Sequence, residues 1–338
     1  MRLLPLLTLL ALSLGGPLED DAEPDHSIIK GMTISCQTWG KEWGTDGFGK
    51  ELDRLGELGT NWVAIHPYAS IRADGSVRRL RDDLDPEAPP GWLARPLETA
   101  HAKGFSLFVK PHLAYWGSPF RWRGDIDFTE GEERTRFWRE YSDWIVRLAS
   151  VTTSADAFCV GTELDRFIAD ESEWRALIKR VREVTDARLT YAANWDQYQT
   201  VPFWDALDAI GVQAYFPLSE EEAPTREALL AGWEAVLTPM RALSEKIGKP
   251  IVFTELGYAA GTHAAIRPWE EPARGAPAMS DLQVRCLSTG LEVLARERAW
   301  LRGAFLWKWF VGKPHRGDGS FYLDHEPLRA SIRAAWAE

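Results

Sequence analysis

Short apolar runs alternate with amphipathic segments along most of the chain. Eight of these runs are continuous, rich in β-prone residues and bounded by Gly, Pro or polar residues, a pattern that predicts buried strands. Most of them end in a polar or aromatic residue or have one within the next three positions. The eight runs cover residues 31–36, 62–65, 105–110, 157–163, 188–192, 209–214, 251–255 and 303–309.

The segments between the runs carry apolar residues at helical spacing. Phe48, Leu52 and Leu55, for example, lie on one face of a helix predicted to begin near residue 46. Thr129 and Ser280 each have a Glu or Gln three residues later, which predicts that both cap the start of a helix. A long helix is predicted over 225–247 and a last one over 327–336. Every predicted strand is therefore followed by a helix.

Eight strand–helix units in one chain favour an α/β protein with a closed (β/α)8 TIM barrel. Parallel strands need crossovers of this size, and eight units are the number that closes the barrel. An open doubly wound sheet is the alternative, and it is disfavoured because no Gly-rich phosphate loop follows the first run. No linker divides the chain, so we expect one catalytic domain over residues 26–338.

Composition narrows the class of partner. The 338-residue chain has a formal net charge of -11, and nothing resembles the basic face that a nucleic acid requires. A hydrophobic fraction of 45% and a charged fraction of 26% are typical of a soluble globular protein. The 17 Trp residues exceed what most cores need, and indole rings also form flat platforms for the faces of sugars.

The first 25 residues are predicted to be a signal peptide and a disordered leader. A basic start and an apolar run precede acidic residues, and the run is too short for a stable transmembrane helix. We expect cleavage between Ser13 and Ala22, a secreted or periplasmic protein, and no stable membrane insertion afterwards. No Cys follows the apolar run, which disfavours a lipid anchor.

Three cysteines are widely spaced along the chain. Cys36, Cys159 and Cys286 are odd in number and form neither a disulfide framework nor a zinc motif. We expect three buried free thiols, with one disulfide as the alternative.

Two carboxylates stand at matching places in this architecture. Glu163 and Glu255 each follow a buried run, and active sites of such barrels are built at the carboxyl ends of the strands. A single Glu at such a place more often caps a helix or pairs with an Arg, but two of them are the minimum equipment for cleaving a glycosidic bond. The strand ends hold no metal-ligand set and no Gly-x-Ser-x-Gly elbow, which disfavours a metal hydrolase and an esterase.

The sequence resembles the retaining glycoside hydrolases of clan A, and most closely glycoside hydrolase family 113, which contains β-mannanases. The likeness is carried by residues 160–164 (VGTEL) and 253–258 (FTELGY), with further similarity at 109–112 (VKPH) and 307–309 (WKW). It covers roughly residues 31–336. Many clan members have Asn before the acid/base, where this chain has Thr162.

The resemblance implies a role for each matching residue. Glu163 is similar to the general acid/base and Glu255 to the nucleophile, with carboxyl groups about 5 Å apart and a covalent glycosyl-enzyme between the two steps. Glu163 would have to carry a proton, which like-charge repulsion from Glu255 would favour. Tyr215 would donate a hydrogen bond to Glu255. The residues expected to bind substrate are Trp39, His66, Lys110, His112, Asn194, Trp195, Tyr215, Trp307 and Trp309.

The resemblance implies a retaining, endo-acting β-glycoside hydrolase for β-1,4-mannan or a related β-linked polysaccharide. We expect no cofactor, no metal and a monomer. The alternatives are a retaining glycosidase or transglycosylase of other specificity, such as glucan or xylan, and a non-catalytic carbohydrate-binding barrel. The presence of both Glu residues disfavours the last of these, since loss of activity usually removes one.

Overall fold

The computed structural model describes residues 28–79, 84–129, 131–272, 277, 279–315 and 319–337. The predicted signal peptide and leader, residues 1–25, lie outside the described residues. Within the described ranges, no helix combines the length and the apolar character needed to cross a membrane.

The described chain contains the following strands and helices. The strands are β1 (Ile29–Ser35), β2 (Trp62–Ile65), β3 (Tyr68–Ile71), β4 (Val77–Arg79), β5 (Ser106–Val109), β6 (His112–Ala114), β7 (Ala157–Thr162), β8 (Arg188–Asn194), β9 (Ile210–Gln213), β10 (Ile251–Leu256) and β11 (Leu301–Phe310). The α-helices are α1 (Asp46–Gly56), α2 (Gly91–Ala102), α3 (Glu132–Val151), α4 (Glu171–Arg182), α5 (Arg226–Ile247), α6 (Asp281–Arg296) and α7 (Glu326–Trp336).

Eight parallel strands close into a barrel in the order β1-β11-β10-β9-β8-β7-β5-β2. They correspond to the eight predicted runs, so the (β/α)8 prediction is confirmed. Large side chains such as Trp62, Phe108 and Phe305 fill part of the interior, and the apolar faces of the helices pack outside. All carboxyl ends of the strands therefore open at one mouth.

The two capping predictions have different outcomes. Ser280 accepts from the amide of Gln283 and caps α6, as predicted. The cap predicted at Thr129 is wrong, because α3 begins at Glu132 and its N-cap is Gly131 without a side-chain cap. Gly131 has φ 146°, in the region that favours glycine. It occupies the N-cap position two residues after Thr129, so Thr129 is not the cap.

A second, three-stranded sheet at the mouth of the barrel was not predicted. In this mouth sheet, β3 pairs antiparallel with β4 and parallel with β6, so that Tyr68 lies beside His112. Its strands have three or four residues, too few for an alternating pattern to be recognised in the sequence. The sheet fixes the segments that leave β2 and β5, and with them the position of His112.

The core predictions are largely confirmed. Trp62, Trp138, Trp144 and Trp174, which we expected in the core, are all buried. The three cysteines are free thiols. Cys159 and Cys286 are buried as predicted, but Cys36 is only partly buried, because β1 ends at Ser35 and Cys36 lies just beyond it.

Candidate active site

A cavity of about 670 Å³, hereafter the cleft, lies where the strands end. Its walls come from segments that follow five different barrel strands and from the loop 115–129. Six of the eleven predicted site residues line it: Glu163, Asn194, Trp195, Tyr215, Glu255 and Trp307. The two carboxylates of the prediction therefore share one cavity.

Glu255 is held on both carboxylate oxygens. It lies near the end of β10 and is almost fully buried. Lys110 forms an ion pair with Oε1, and the Tyr215 hydroxyl donates to Oε2 at 2.5 Å. The expected hydrogen bond from Tyr215 is thus present. A carboxylate whose two oxygens are bound by a cation and a phenol is held in one orientation.

The two partners of Glu255 have shifted pKa values. Burial raises the pKa of Tyr215 well above its usual range, and the negative charge of Glu255 adds to the effect, so Tyr215 remains a hydrogen-bond donor. Burial lowers the pKa of Lys110, while its contact with Glu255 opposes that change. Lys110 also donates to the Thr254 carbonyl at 3.2 Å, so its buried ammonium has several acceptors.

Glu163 owes its position to the end of β7. The strand stops at Thr162, and Glu163 itself has φ 54°, in the left-handed region that a non-Gly residue rarely occupies. Its amide donates to the Ala192 carbonyl at 2.9 Å, and the Leu164 amide donates to the Tyr191 hydroxyl oxygen at 2.9 Å. A strained backbone held by neighbouring strands is a frequent feature of functional sites.

Thr162, where many clan members have Asn, does not face the cleft. Its hydroxyl donates to the Pro111 carbonyl at 3.1 Å, and the residue is buried. A side-chain amide at the cleft wall is supplied instead by Asn194, at the end of β8. Its nitrogen donates to both oxygens of Asp165, at 3.0 and 2.9 Å. Asp165 thereby orients the Asn194 amide at the cleft wall.

Asp165 is a half-buried acid that sequence analysis did not single out. Burial raises its pKa to about 6, with further contributions from Glu163 and Asp196, although the hydrogen bonds from Asn194 act in the opposite direction. A carboxyl with this pKa changes its charge in the range where many hydrolases work. Its place in a short turn after β7 gives no sequence pattern by which it could have been found.

Two histidines form a layer beneath the cleft. The His66 and His112 rings stack at 4.9 Å between centroids, and Trp307 lies 5.4 Å from His66. His112 Nε2 is 3.7 Å from Glu255 Oε1. Burial, with the nearby cations, places the pKa of both histidines well below the usual range. Both rings are therefore neutral at pH 7 and support Trp307 from behind.

Aromatic rings stand at two edges of the cleft. Trp195 stacks on Trp269 at 5.7 Å with an interplanar angle of 17°, and 44% of Trp269 is exposed. Trp39 packs edge-on against Tyr68 and Trp116 and is itself 46% exposed. Trp39 lies outside the cavity lining, at the rim formed with the mouth sheet. Trp269, in a long loop after β10, was not predicted.

The structure places Trp309 away from the cleft, which corrects its assignment as a substrate-binding residue. Its ring is fully buried and its Nε1–H donates to Glu51 Oε2 on α1 at 2.9 Å. In a regular strand residues 307 and 309 would point to the same face, but between Leu306 and Trp309 β11 has one residue more than its partner β1, and this irregularity allows the two indoles to lie on different sides. Trp307 alone belongs to the cleft, and its peptide bond to Lys308 is cis.

Arg123 is the main site residue that sequence reasoning missed. Its Nε and Nη2 donate to Glu163 Oε2 at 2.9 and 2.5 Å. Burial acts to lower the pKa of Arg123, but Glu163 and other acidic neighbours raise it above the usual range, so the guanidinium is charged. It comes from the loop 115–129, whose length indicated function without indicating which residue carries it.

The paired carboxylates, the aromatic walls and the barrel mouth define a carbohydrate-active hydrolase site. Across the described ranges, no group of three or more His, Cys, Asp or Glu side chains is arranged to hold a metal ion. The chain belongs to Glycoside Hydrolase Family 113, whose family model matches residues 32–319, and it is a glycoside hydrolase.

Solved structures similar to this chain include two members of the same family. The GH113 β-mannanase AaManA from Alicyclobacillus acidocaldarius, in complex with ManMIm, matches with a TM-score of 0.77 and 26% identity, over 92% of this chain and 97% of that chain. A second GH113 β-1,4-mannanase matches with a TM-score of 0.77 and 21% identity, over 92% and 99%. A family 5 mannosidase from Rhizomucor miehei shares the fold, with a TM-score of 0.59 and 14% identity, over 92% of both chains. No curated protein matched the sequence.

Proposed function

We propose that this glycoside hydrolase is a retaining, endo-acting β-1,4-mannanase that uses Glu255 as nucleophile and Glu163 as general acid/base. The observation that carries the mechanism is the placement of both carboxylates in one cleft, with Glu255 fixed on both oxygens. The substrate class rests on the family and on the likeness to AaManA at 26% identity.

The proposed first step forms a glycosyl-enzyme. The Glu255 carboxylate attacks the anomeric carbon, the bond from that carbon to the glycosidic oxygen breaks, and Glu163 gives its proton to the departing oxygen. Lys110 and Tyr215 hold Glu255 in the direction of attack. As negative charge leaves Glu255 in the new ester bond, the Tyr215 hydroxyl remains available to the oxygen that is not bonded to carbon.

The proposed second step returns the enzyme to its starting state. Glu163, now a carboxylate, takes a proton from a water molecule, whose oxygen attacks the anomeric carbon and breaks the ester bond to Glu255. The sugar keeps its β configuration after two inversions. Trp307 supports the sugar face, the Asn194 amide group offers a hydrogen bond to a hydroxyl, and the Trp195–Trp269 stack extends the platform along the cleft.

The test is hydrolysis of β-1,4-mannan, β-1,4-glucan and xylan by the purified protein, followed by reducing-end release and product length. We expect mannan to be cut into oligosaccharides of mixed length, and proton NMR of the first products to show the β-anomer. The α-anomer as first product would rule out retention. Preference for glucan or xylan would reassign the substrate, and absence of cleavage of all three would favour a binding protein.

Export of the protein and its oligomeric state belong to the proposal as well. We infer that the protein is exported with cleavage between Ser13 and Ala22, and that it acts as a monomer. Mass spectrometry of the protein secreted from a bacterial host carrying the full chain would give the mature N-terminus, and gel filtration its mass. An intact N-terminus in the cytoplasm, or elution as a dimer, would contradict the respective inference.

A further inference from the structure

Both oxygens of Glu163 face hydrogen-bond donors. Arg123 donates twice to Oε2, and Gln213 Nε2 lies 3.4 Å from Oε1. The Gln213 amide is oriented by its own oxygen, which accepts from Thr254 Oγ1 at 2.9 Å and from Lys110 Nζ at 3.4 Å. A guanidinium has no acceptor, so a proton on Oε2 would face only N–H groups. The arrangement therefore fits the carboxylate form of Glu163.

This form is the wrong one for the first step of the mechanism and the right one for the second. An acid that gives its proton to a leaving group must hold that proton when substrate is bound. A base that activates water must be ionised. The contact with Arg123 thus favours deglycosylation and opposes glycosylation as long as it persists.

We propose that Arg123 is a positioning residue that keeps Glu163 ionised in the free enzyme, and that the sugar on the leaving-group side displaces it from Oε2. Glu163 then takes up a proton from solvent for the first step, and the proton that it gains in the second step returns to solvent when Arg123 contacts Oε2 again. The inference rests on the proposed function, because it assigns a protonation cycle to the same acid/base. Arg123 lines the same cleft as Glu163, beside Trp122 and Tyr115, so a sugar bound there lies within reach of the guanidinium.

The backbone around Arg123 is anchored, so the side chain is the part free to move. Arg123 begins a single 3-10 turn, 123–125, and Ile126 directly after it is fully buried. Gly124 packs under the Trp122 ring, where an added Cβ would lie 2.2 Å from the ring. A rotation of the Arg123 side chain would release Oε2 and leave these loop contacts in place.

Other titratable groups also lie near Glu163 in the cleft, and they do not replace Arg123. They are Lys110 from beyond β5, Asp165 from the turn after β7, Tyr215 from beyond β9 and Glu255 on β10. Lys110 and Glu255 largely offset each other in their own ion pair. Asp165, when ionised, favours a protonated Glu163 by like-charge repulsion. Arg123 is the cation that the described part of the chain brings into direct contact with this carboxylate.

Arg121 offers a matched control in the same loop. It is 87% exposed and pairs with Asp125, whereas the Arg123 side chain is 15% exposed and pairs with Glu163. Arg123→Gln and Arg121→Gln remove the same charge two residues apart. Only the first removes a contact with the acid/base.

The experiment measures the pH dependence of kcat/KM, which reports the free enzyme, and of kcat, which reports the enzyme–substrate complex. In the unmodified enzyme we expect the alkaline limb of kcat/KM to lie at lower pH than that of kcat. Arg123→Gln should move the kcat/KM limb up by about one pH unit or more and leave the kcat limb nearly unchanged. Arg121→Gln should change neither. Equal movement of both limbs in Arg123→Gln would show that Arg123 stays on Glu163 in the complex and would overturn the displacement.

A second readout does not depend on activity. In protein labelled with carbon-13 at the side-chain carboxyl of Glu, the Glu163 signal is assigned by its loss in Glu163→Gln and then titrated by NMR. In Arg123→Gln, Glu163 should retain its proton to higher pH than in the unmodified protein. In Arg123→Lys, which keeps a positive charge at this position, Glu163 should titrate between the two. Identical titration of all three would refute control by Arg123. Failure to hydrolyse any β-glycan would refute the proposed function alone, because this titration would still decide the role of Arg123.

Discussion

Lys110 and Glu255 form an ion pair that is closed off from solvent, with side-chain exposures of 0% and 4%. Burying two charges costs more than their attraction returns unless each has further hydrogen bonds, so such a pair is weak evidence for stability. Here Lys110 also reaches the Thr254 carbonyl, and Glu255 accepts from Tyr215. We interpret the pair as a device that fixes the direction of the Glu255 carboxylate for attack.

If Glu255 is the nucleophile, its removal should be rescued by an external one. Glu255→Ala should lower kcat on mannan by about 10⁴-fold or more, because the covalent route is lost. Added azide fits the space left by the carboxylate and should restore turnover to a glycosyl azide of inverted configuration. NMR of the product gives its configuration.

Glu271→Ala is the matched control for this rescue, since Glu271 lines the same cleft and bonds to Ser320 without contacting the catalytic pair. It should keep most of the activity and form no glycosyl azide. Normal turnover by Glu255→Ala would remove this residue from the nucleophile role.

The acid role of Glu163 predicts a dependence on the leaving group. Glu163→Gln should lose about 10²- to 10⁴-fold on mannan, yet little in the glycosylation of an activated aryl mannoside, which needs no proton. Glu271→Gln changes a carboxyl elsewhere in the cleft in the same way and should affect both substrates equally. Burst kinetics on the two substrates separate glycosylation from hydrolysis of the ester. An equal loss on both substrates in Glu163→Gln would argue against the assignment.

Substitution of Trp307 should lower activity, whereas substitution of Trp309 should lower stability. Trp307→Ala removes a wall of the cleft and should lower kcat/KM about tenfold or more, with little change in stability. Trp309→Phe leaves the cleft intact but removes the Nε1–H donor to Glu51, and should cost about 1–3 kcal/mol in the free energy of unfolding. Steady-state kinetics and urea denaturation of both variants measure kcat/KM and the free energy of unfolding. A rise in KM in Trp309→Phe with unchanged stability would return Trp309 to the substrate site.

The buried histidines predict loss of stability in acid. Because the pKa of His66 is well below its usual range in the folded protein, the unfolded chain binds a proton that the folded one rejects. The stability is complete above about pH 6.5 and falls below it by about 1.4 kcal/mol per pH unit for such a group, until the folded pKa is reached. His66→Phe keeps a ring in the stack and should reduce this slope. Urea denaturation between pH 7 and pH 5 measures it, and an unchanged slope would show that His66 is not its source.

The barrel and the two Glu residues of the cleft were predictable from local signals. A buried strand is a continuous apolar run, so β7 and β10 and the Glu beside each end could be read from sequence. The mouth sheet was missed because its strands are too short to show a period. Trp309 was misassigned because the two-residue period of a regular strand places it on the same face as Trp307, whereas β11 has an extra residue between Leu306 and Trp309 that no sequence pattern reveals.

The sequence by itself determined the order of strands and helices, the two acids at strand ends and the membership of the family. Only the tertiary structure decided that Arg123 meets Glu163, that Asp165 holds Asn194 and that Lys110 is buried against Glu255. These contacts join residues 29 to 145 positions apart. No periodicity links such positions, because hydrogen bonds and ion pairs form across the barrel mouth after the backbone has closed, whereas sequence patterns record only the burial of near neighbours.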